Sequence, residues 1–242
     1  MALVLFKHCN PYTNSFQLET RSFCIGGRCI VMRQSPHEVE PDLALPHLKS
    51  TGTAVWDASF VLAEYLHRSE IRGKRVVELG CGLALPSLAA ALAGATAVAT
   101  DGDESVLNLT ARCIRDNKLI DTVSTQVLLW GDPVATAAIL KTGPVDVVVL
   151  ADLLYNRAVF PQLLATTAAL DAELVFIAHK NRGLGEQIFL RQLGRLYALE
   201  LVPAAELHEE FRSHGIDIIV GRRCVSVQPS MPVEVEVAHQ GC

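Results

Sequence analysis

Short, almost uninterrupted apolar runs recur through the middle of the chain, most of them followed by a stretch with helical spacing. "VDVVVLAD" (145–152) is the strongest, and "RVVEL" (75–79), "TAVATD" (96–101), "STQVLLW" (124–130) and "AELVFIAHK" (172–180) resemble it. A strand without polar alternation must be covered on both faces. A series of such strands separated by helices reads as parallel βαβ units. The helical stretches are "PSLAAALAGA", "ESVLNLTARCIRDN" (104–117), "AVFPQLLATTAAL" (158–170), with Pro161 in its first turn, and "LGEQIFLRQLGRL" (184–196). "YALELVP" (197–203) and "GIDIIVGRRCVSVQP" (215–229) have no helix pattern between them and predict an antiparallel edge. The expectation is an α/β fold built on a doubly wound, mostly parallel sheet of seven strands.

Upstream, "TGTAVWDASFVLAEYLHRSE" places Val55, Ala58, Phe60, Val61, Leu62, Tyr65 and Leu66 on one helical face. Two half-apolar runs meet at Gly26-Gly27 in "FQLETRSFCIGGRCIVMRQ" (16–34), the pattern of a β-hairpin. "SPHEVEPDLALPHLKS" (35–50), with three prolines, reads as an irregular connection. The chain of 242 residues thus divides into an N-terminal extension (1–50) with a hairpin, one domain (51–229) and a loose tail (230–242).

The formal charge is −5, and no basic stripe points to nucleic acid. No run of about 18 to 20 apolar residues predicts a membrane span. "MALVLFKHCNPY" is apolar only to Phe6 and is not read as a secretory leader. The cytoplasm, with the nucleus as a second compartment, is therefore the expected location. The seven cysteines are irregularly spaced without a C-x-x-C pair, so neither a zinc site nor any other metal site is expected. Cys24 and Cys29 flank Gly26-Gly27 and can face each other across the hairpin.

"VVELGCGLALPS" (76–87) follows the first central strand with an acidic residue and two glycines. Ligands of doubly wound sheets sit beyond the carboxyl ends of the strands. There Gly80 and Gly82 let the backbone turn tightly and let a ligand approach it. A dinucleotide loop, G-x-G-x-x-G, fails at Leu85. The pattern acidic-x-Gly-x-Gly-x-small, read as Glu78, Gly80, Gly82 and Ala84, suits S-adenosylmethionine, whose ammonium end Glu78 can serve directly or through water. An ordinary strand-to-helix turn is the alternative. Asp101, about twenty positions on, ends the second central strand, where an acidic residue takes ribose hydroxyls. The other role open to it is capping the next helix. Trp130 after the third strand can wall the adenine, with Gly131 permitting close approach and Asp132 a further candidate. Asp152 ends a very apolar strand, where a carboxylate is costly unless paired or facing a site. A helix N-cap is its alternative role.

Together "TGTAVWDAS" (51–59), "VVELGCGLALPS", "LLWGD" (128–132) and "ADLLYN" (151–156) resemble the seven-β-strand, class I S-adenosylmethionine-dependent methyltransferases with their Rossmann-like fold. More narrowly, they resemble the methyltransferase-like protein-lysine methyltransferases, methyltransferase family 16. "HKNR" (179–182) resembles a further segment of that family. The resemblance implies that Trp56 lies near the cofactor, and that Asp152 and Tyr155, its D-x-x-Y motif, form the catalytic end of the pocket. Ala84 stands where many relatives have glycine; alanine costs something there only if φ must be positive. His179, Lys180 and Arg182 either orient Asp152, contact the substrate or form a solvated turn. The implied partner is a protein substrate, of the chaperone or translation-factor class, met by a monomer. Other acceptors (arginine, histidine, a small molecule) and a non-catalytic adaptor remain alternatives.

Overall fold

The computed structural model describes residues 18–35, 51–212 and 214–224. Residues 1–17, 36–50, 213 and 225–242, and with them the expected irregular connection and loose tail, lie outside the described residues.

The hairpin forms as read: β1 (Thr20–Ile25) and β2 (Arg28–Arg33) pair antiparallel around Gly26-Gly27, with Cys24 opposite Cys29 and both thiols free and exposed. The remaining elements alternate. They are α1 (Asp57–Arg68), β3 (Arg75–Leu79), α2 (Leu85–Leu92), β4 (Thr96–Asp101), α3 (Glu104–Asp116), β5 (Val123–Val127), α4 (Pro133–Lys141), β6 (Val147–Ala151), α5 (Phe160–Ala169), β7 (Leu174–Lys180), α6 (Glu186–Leu193), β8 (Tyr197–Leu201) and β9 (Ile216–Arg223). No helix among them is long and apolar enough to cross a membrane.

The sheet runs β5-β4-β3-β6-β7-β9-β8. β9 lies antiparallel between β7 and β8 and every other neighbour pair is parallel, so the antiparallel edge is present. Alternate residues of β6 feed the two faces. Val147, Val149 and Ala151 join the layer of α1, α2 and α3, while Val148 and Leu150 join that of α4, α5 and α6. The hairpin adds Phe23, Ile25, Ile30 and Met32 to the first of these layers. It is tied down by Asn117, whose side-chain amide receives the Val31 N–H at 2.9 Å and donates to the Val31 carbonyl at 2.8 Å. Asn117 thus ends α3 as expected and also acts as a surrogate strand edge for β2.

Two differences from the sequence reading concern one segment. The third strand stops at Val127, leaving Leu128, Leu129 and Trp130 in a loop. The helix α4 was not anticipated. It starts where Asp132 accepts from the N–H groups of Val134 and Ala135 and Pro133 takes the first helical position. Asp-Pro ahead of an alanine-rich run is a helix start, and that signal was present.

Candidate active site

The strand order reverses between β3 and β6, with β4 and β5 added on one side and β7 on the other. Loops leaving such a pair diverge and open a crevice at the carboxyl ends of the strands. A cavity of about 480 Å³ lies there, a size that suits a small-molecule ligand. Segment 51–59, the β3–α2 loop, the end of β4, the β5–α4 loop and the β6–α5 connection all line it.

Of the residues singled out in the sequence, Trp56, Gly80, Gly82, Asp101, Trp130, Asp152 and Tyr155 all line this cavity. Gly80 (φ +57) and Gly82 (φ +49) both occupy left-handed backbone. A Cβ on Gly80 would stand 2.7 Å from the Trp130 ring and 2.8 Å from Leu153; one on Gly82 would stand 3.0 Å from the Gly52 carbonyl. Neither glycine position has room for a side chain, so backbone forms the surface at those two points. Ala84 sits at φ +61 as the N-cap of α2. The condition under which alanine costs something is met.

Asp101 receives the Gly82 N–H at 3.1 Å on one oxygen and the Asp103 N–H at 3.1 Å on the other. Asp103, not Asp101, caps α3 by accepting from Ser105. Asp101 is thus free of the helix start, and burial pushes its pKa up. Trp56 precedes α1 in extended conformation instead of lying on the helix, and its indole N–H donates to the Thr51 carbonyl at 2.9 Å. Burial raises the Tyr155 pKa, and the neighbouring Thr51 side chain opposes the rise. Thr51 thus gathers both aromatic residues. It belongs to a quoted motif, but nothing in its residue type marked it as a hub.

Two expectations are corrected. Glu78 does not line the cavity and is 1% exposed. Val77 and Leu79 face the α4–α6 layer, so the two-residue period turns Glu78 toward α2. Its Oε2 accepts from the Ser87 N–H at 2.9 Å and hydroxyl at 2.5 Å, while Oε1 is buried with no partner among the described residues. Burial pushes its pKa up to about 8 against those bonds. It supports the first turn of α2 from beneath and is not placed to touch a ligand directly. Asp132 likewise caps α4 and does not line the cavity.

Asp152 has φ +57 just past β6. It is not a helix cap, because Asn156 takes that role by accepting from Ala158. Both its oxygens face Arg182, at 2.7 Å and 2.8 Å. Of the basic turn, Arg182 orients Asp152 and Lys180 contributes its backbone N–H at 3.3 Å. The His179 side chain is buried and lies outside the cavity lining. Gln162 on α5 and Leu129 also line the cavity and were not anticipated in the sequence. No cluster of metal-ligating side chains occurs among the described residues.

The family model described as lysine methyltransferase, methyltransferase family 16, matches residues 42–196, more than half of the chain. The chain belongs to this family. Protein N-lysine methyltransferase METTL21A of Xenopus tropicalis is 34% identical over 179 residues, 71% of this chain and 78% of that protein. Histone-arginine methyltransferase METTL23 of Xenopus laevis is 31% identical over 140 residues, 55% of this chain and 58% of that protein. This chain therefore spans little more than half the length of that relative. EEF1A lysine methyltransferase 3 of Mus musculus is 28% identical over 81% of each chain.

Solved structures share the fold. A TehB-like SAM-dependent methyltransferase from Corynebacterium glutamicum has a TM-score of 0.52 at 16% identity, covering 73% of this chain and 92% of that one. SMU.776, solved with SAH, has a TM-score of 0.55 at 14% identity, covering 84% and 56%. The cofactor of the family is S-adenosylmethionine, and the residues present fit it. Two glycines expose backbone along the cavity, a half-buried carboxylate at Asp101 faces it, and Trp56 and Trp130 supply apolar surface.

Proposed function

We propose that this protein transfers a methyl group from S-adenosylmethionine to a lysine ε-amine of a protein substrate. The observation that carries the reading is the Asp152–Tyr155 turn, which opens into the same cavity as the Gly80–Gly82 loop and Asp101. The family description and the likeness to METTL21A favour lysine as the acceptor.

In this reading Asp101 holds the ribose hydroxyls, and Trp130 with Leu128 and Leu129 walls the adenine. The exposed backbone of the Gly80–Gly82 loop receives the methionine end. The bound cofactor supplies an electrophilic sulfonium methyl. Free lysine has a pKa of about 10.4, so the amine must enter neutral or lose its proton on entry. Tyr155 and Trp56 provide an apolar channel for the lysine stem and desolvate the ammonium form, which lowers its pKa. The proton leaves to water, and the cavity walls would then hold the neutral amine facing the methyl that a bound cofactor would supply. The protein acts as a cytoplasmic monomer on a protein partner and needs neither nucleic acid nor a membrane; light scattering of the purified chain checks the monomer.

The likeness to METTL23 favours a second reading, arginine as acceptor. A labelled methyl-transfer assay on methyltransferase-naive lysate, wild type beside Asp152→Ala, separates the two. Acid hydrolysis yielding methyl-lysine in the wild type and none in the variant supports the proposal. Methyl-arginine overturns the lysine acceptor, and cofactor binding without any transfer favours the adaptor.

A further inference from the structure

Asp152 brings a negative charge to the cavity, and that charge is already answered. The Arg182 guanidinium donates one nitrogen to each carboxylate oxygen, at 2.7 Å and 2.8 Å, and Lys180 N–H adds a third bond. Only 6% of the Asp152 side chain is exposed. The turn carrying Arg182 is itself fixed, because the Arg182 backbone N–H donates to Glu186 Oε1 at 2.8 Å and Glu186 is buried. The Asp152 N–H is held by the Ala178 carbonyl at 2.7 Å. A left-handed backbone on a residue other than glycine is strained and persists only where surroundings enforce it. Here those surroundings aim the carboxylate at one partner. The other titratable groups nearby are Tyr155, which feels Asp101 and Asp152, and Glu186, which feels Arg182.

We propose that Arg182 sets the acceptor chemistry of this site by locking Asp152 into a closed, charge-neutral pair, so that the site favours a neutral amine over an ammonium or a guanidinium. The inference rests on the amine-directed reading above and assigns Arg182 as a positioning residue that acts through Asp152. An unpaired carboxylate beside the incoming lysine would stabilise its protonated form and oppose attack on the methyl. It would also offer two oxygens to the fork of a guanidinium. With both oxygens bonded to Arg182 and its positive charge alongside, both attractions are weakened.

The test needs no acceptor and uses the full chain. S-adenosylhomocysteine lacks the transferred methyl, whereas sinefungin carries an amino group in its place, protonated at neutral pH. Calorimetry gives the ratio of their affinities. Freeing the carboxylate in Arg182→Gln is expected to favour sinefungin roughly tenfold over the wild-type ratio. Asp152→Asn leaves Arg182 unpaired and is expected to move the ratio the other way, and the double variant to restore it. An unchanged ratio in Arg182→Gln overturns the proposal, as does equal weakening of both ligands. If Arg182→Gln does not fold by circular dichroism, Asp152→Asn decides, and an unchanged ratio there overturns it equally. No methyl transfer is read, so failure of the lysine acceptor shows separately in the lysate assay.

Discussion

The two ends of β3 and β6 are built on opposite terms. At their amino ends the bonding is conventional and redundant. Arg75 donates its backbone N–H to Asp146 at 2.7 Å, and its guanidinium serves the carbonyls of Ile139 and Gly143 and the Thr142 hydroxyl. At their carboxyl ends Gly80, Gly82, Ala84 and Asp152 all stand at positive φ. Among the described residues, the other positive-φ positions besides glycine, Lys118 and Asp171, lie just beyond the ends of α3 and α5, where such a conformation is ordinary. The same pair of strands is thus anchored at one end and strained at the other, and the strain lies where backbone must face a ligand.

That contrast can be broken from either end. The largest effect is expected from Gly80→Ala. The new Cβ meets Trp130 and Leu153 within 3 Å on a φ of +57. Calorimetry with S-adenosylhomocysteine should show affinity falling about a hundredfold, some 3 kcal/mol. Arg75→Ala tests the anchored end. It should lower stability by about 2 kcal/mol, and the melting temperature by roughly 4–8 °C, with cofactor affinity unchanged. A matching loss of affinity would mean that the two ends are not independent.

Glu78 lies between the two regimes, and its signature is a slope with pH. Its pKa is near 8 in the fold and about 4.5 when exposed, so the folded chain keeps a proton that the unfolded chain releases. Stability from this group is full below about pH 4.5 and declines as pH rises toward 8. Asp101, also raised by burial, adds to the fall in the same direction. Melting temperatures across this range should flatten in Glu78→Gln relative to wild type, and an identical slope would remove Glu78 as its source. The smallest effect is expected from Ala84→Gly. It relieves a φ of +61 and should raise stability by about 1 kcal/mol, visible as roughly 2–4 °C in thermal melts. A loss of stability would show that alanine is comfortable at this turn.

Much of the fold was legible because its signals are local. Apolar runs without alternation marked the buried strands, and 75–79 and 96–101 form with the bounds expected. The absence of a helix before the last strand announced the antiparallel edge. Asp101 and Asp152 were legible because carboxylates at the ends of apolar strands need a reason to be there. Helix α4 was missed although its Asp-Pro start is local, because the preceding apolar run was carried through Trp130.

The sequence by itself determined the α/β class, the hairpin, the glycine loop and the residues that gather around it. The tertiary structure alone decided which face Glu78 takes. Both faces of the sheet are apolar, so alternation says that it differs from Val77 and Leu79 but not which helices it meets. It alone joined Asp152 to Arg182, Trp56 and Tyr155 to Thr51, and Asn117 to the hairpin. It also set φ positive at Ala84. Most of these depend on strand order and on contacts between residues far apart in the chain, and no local spacing encodes them.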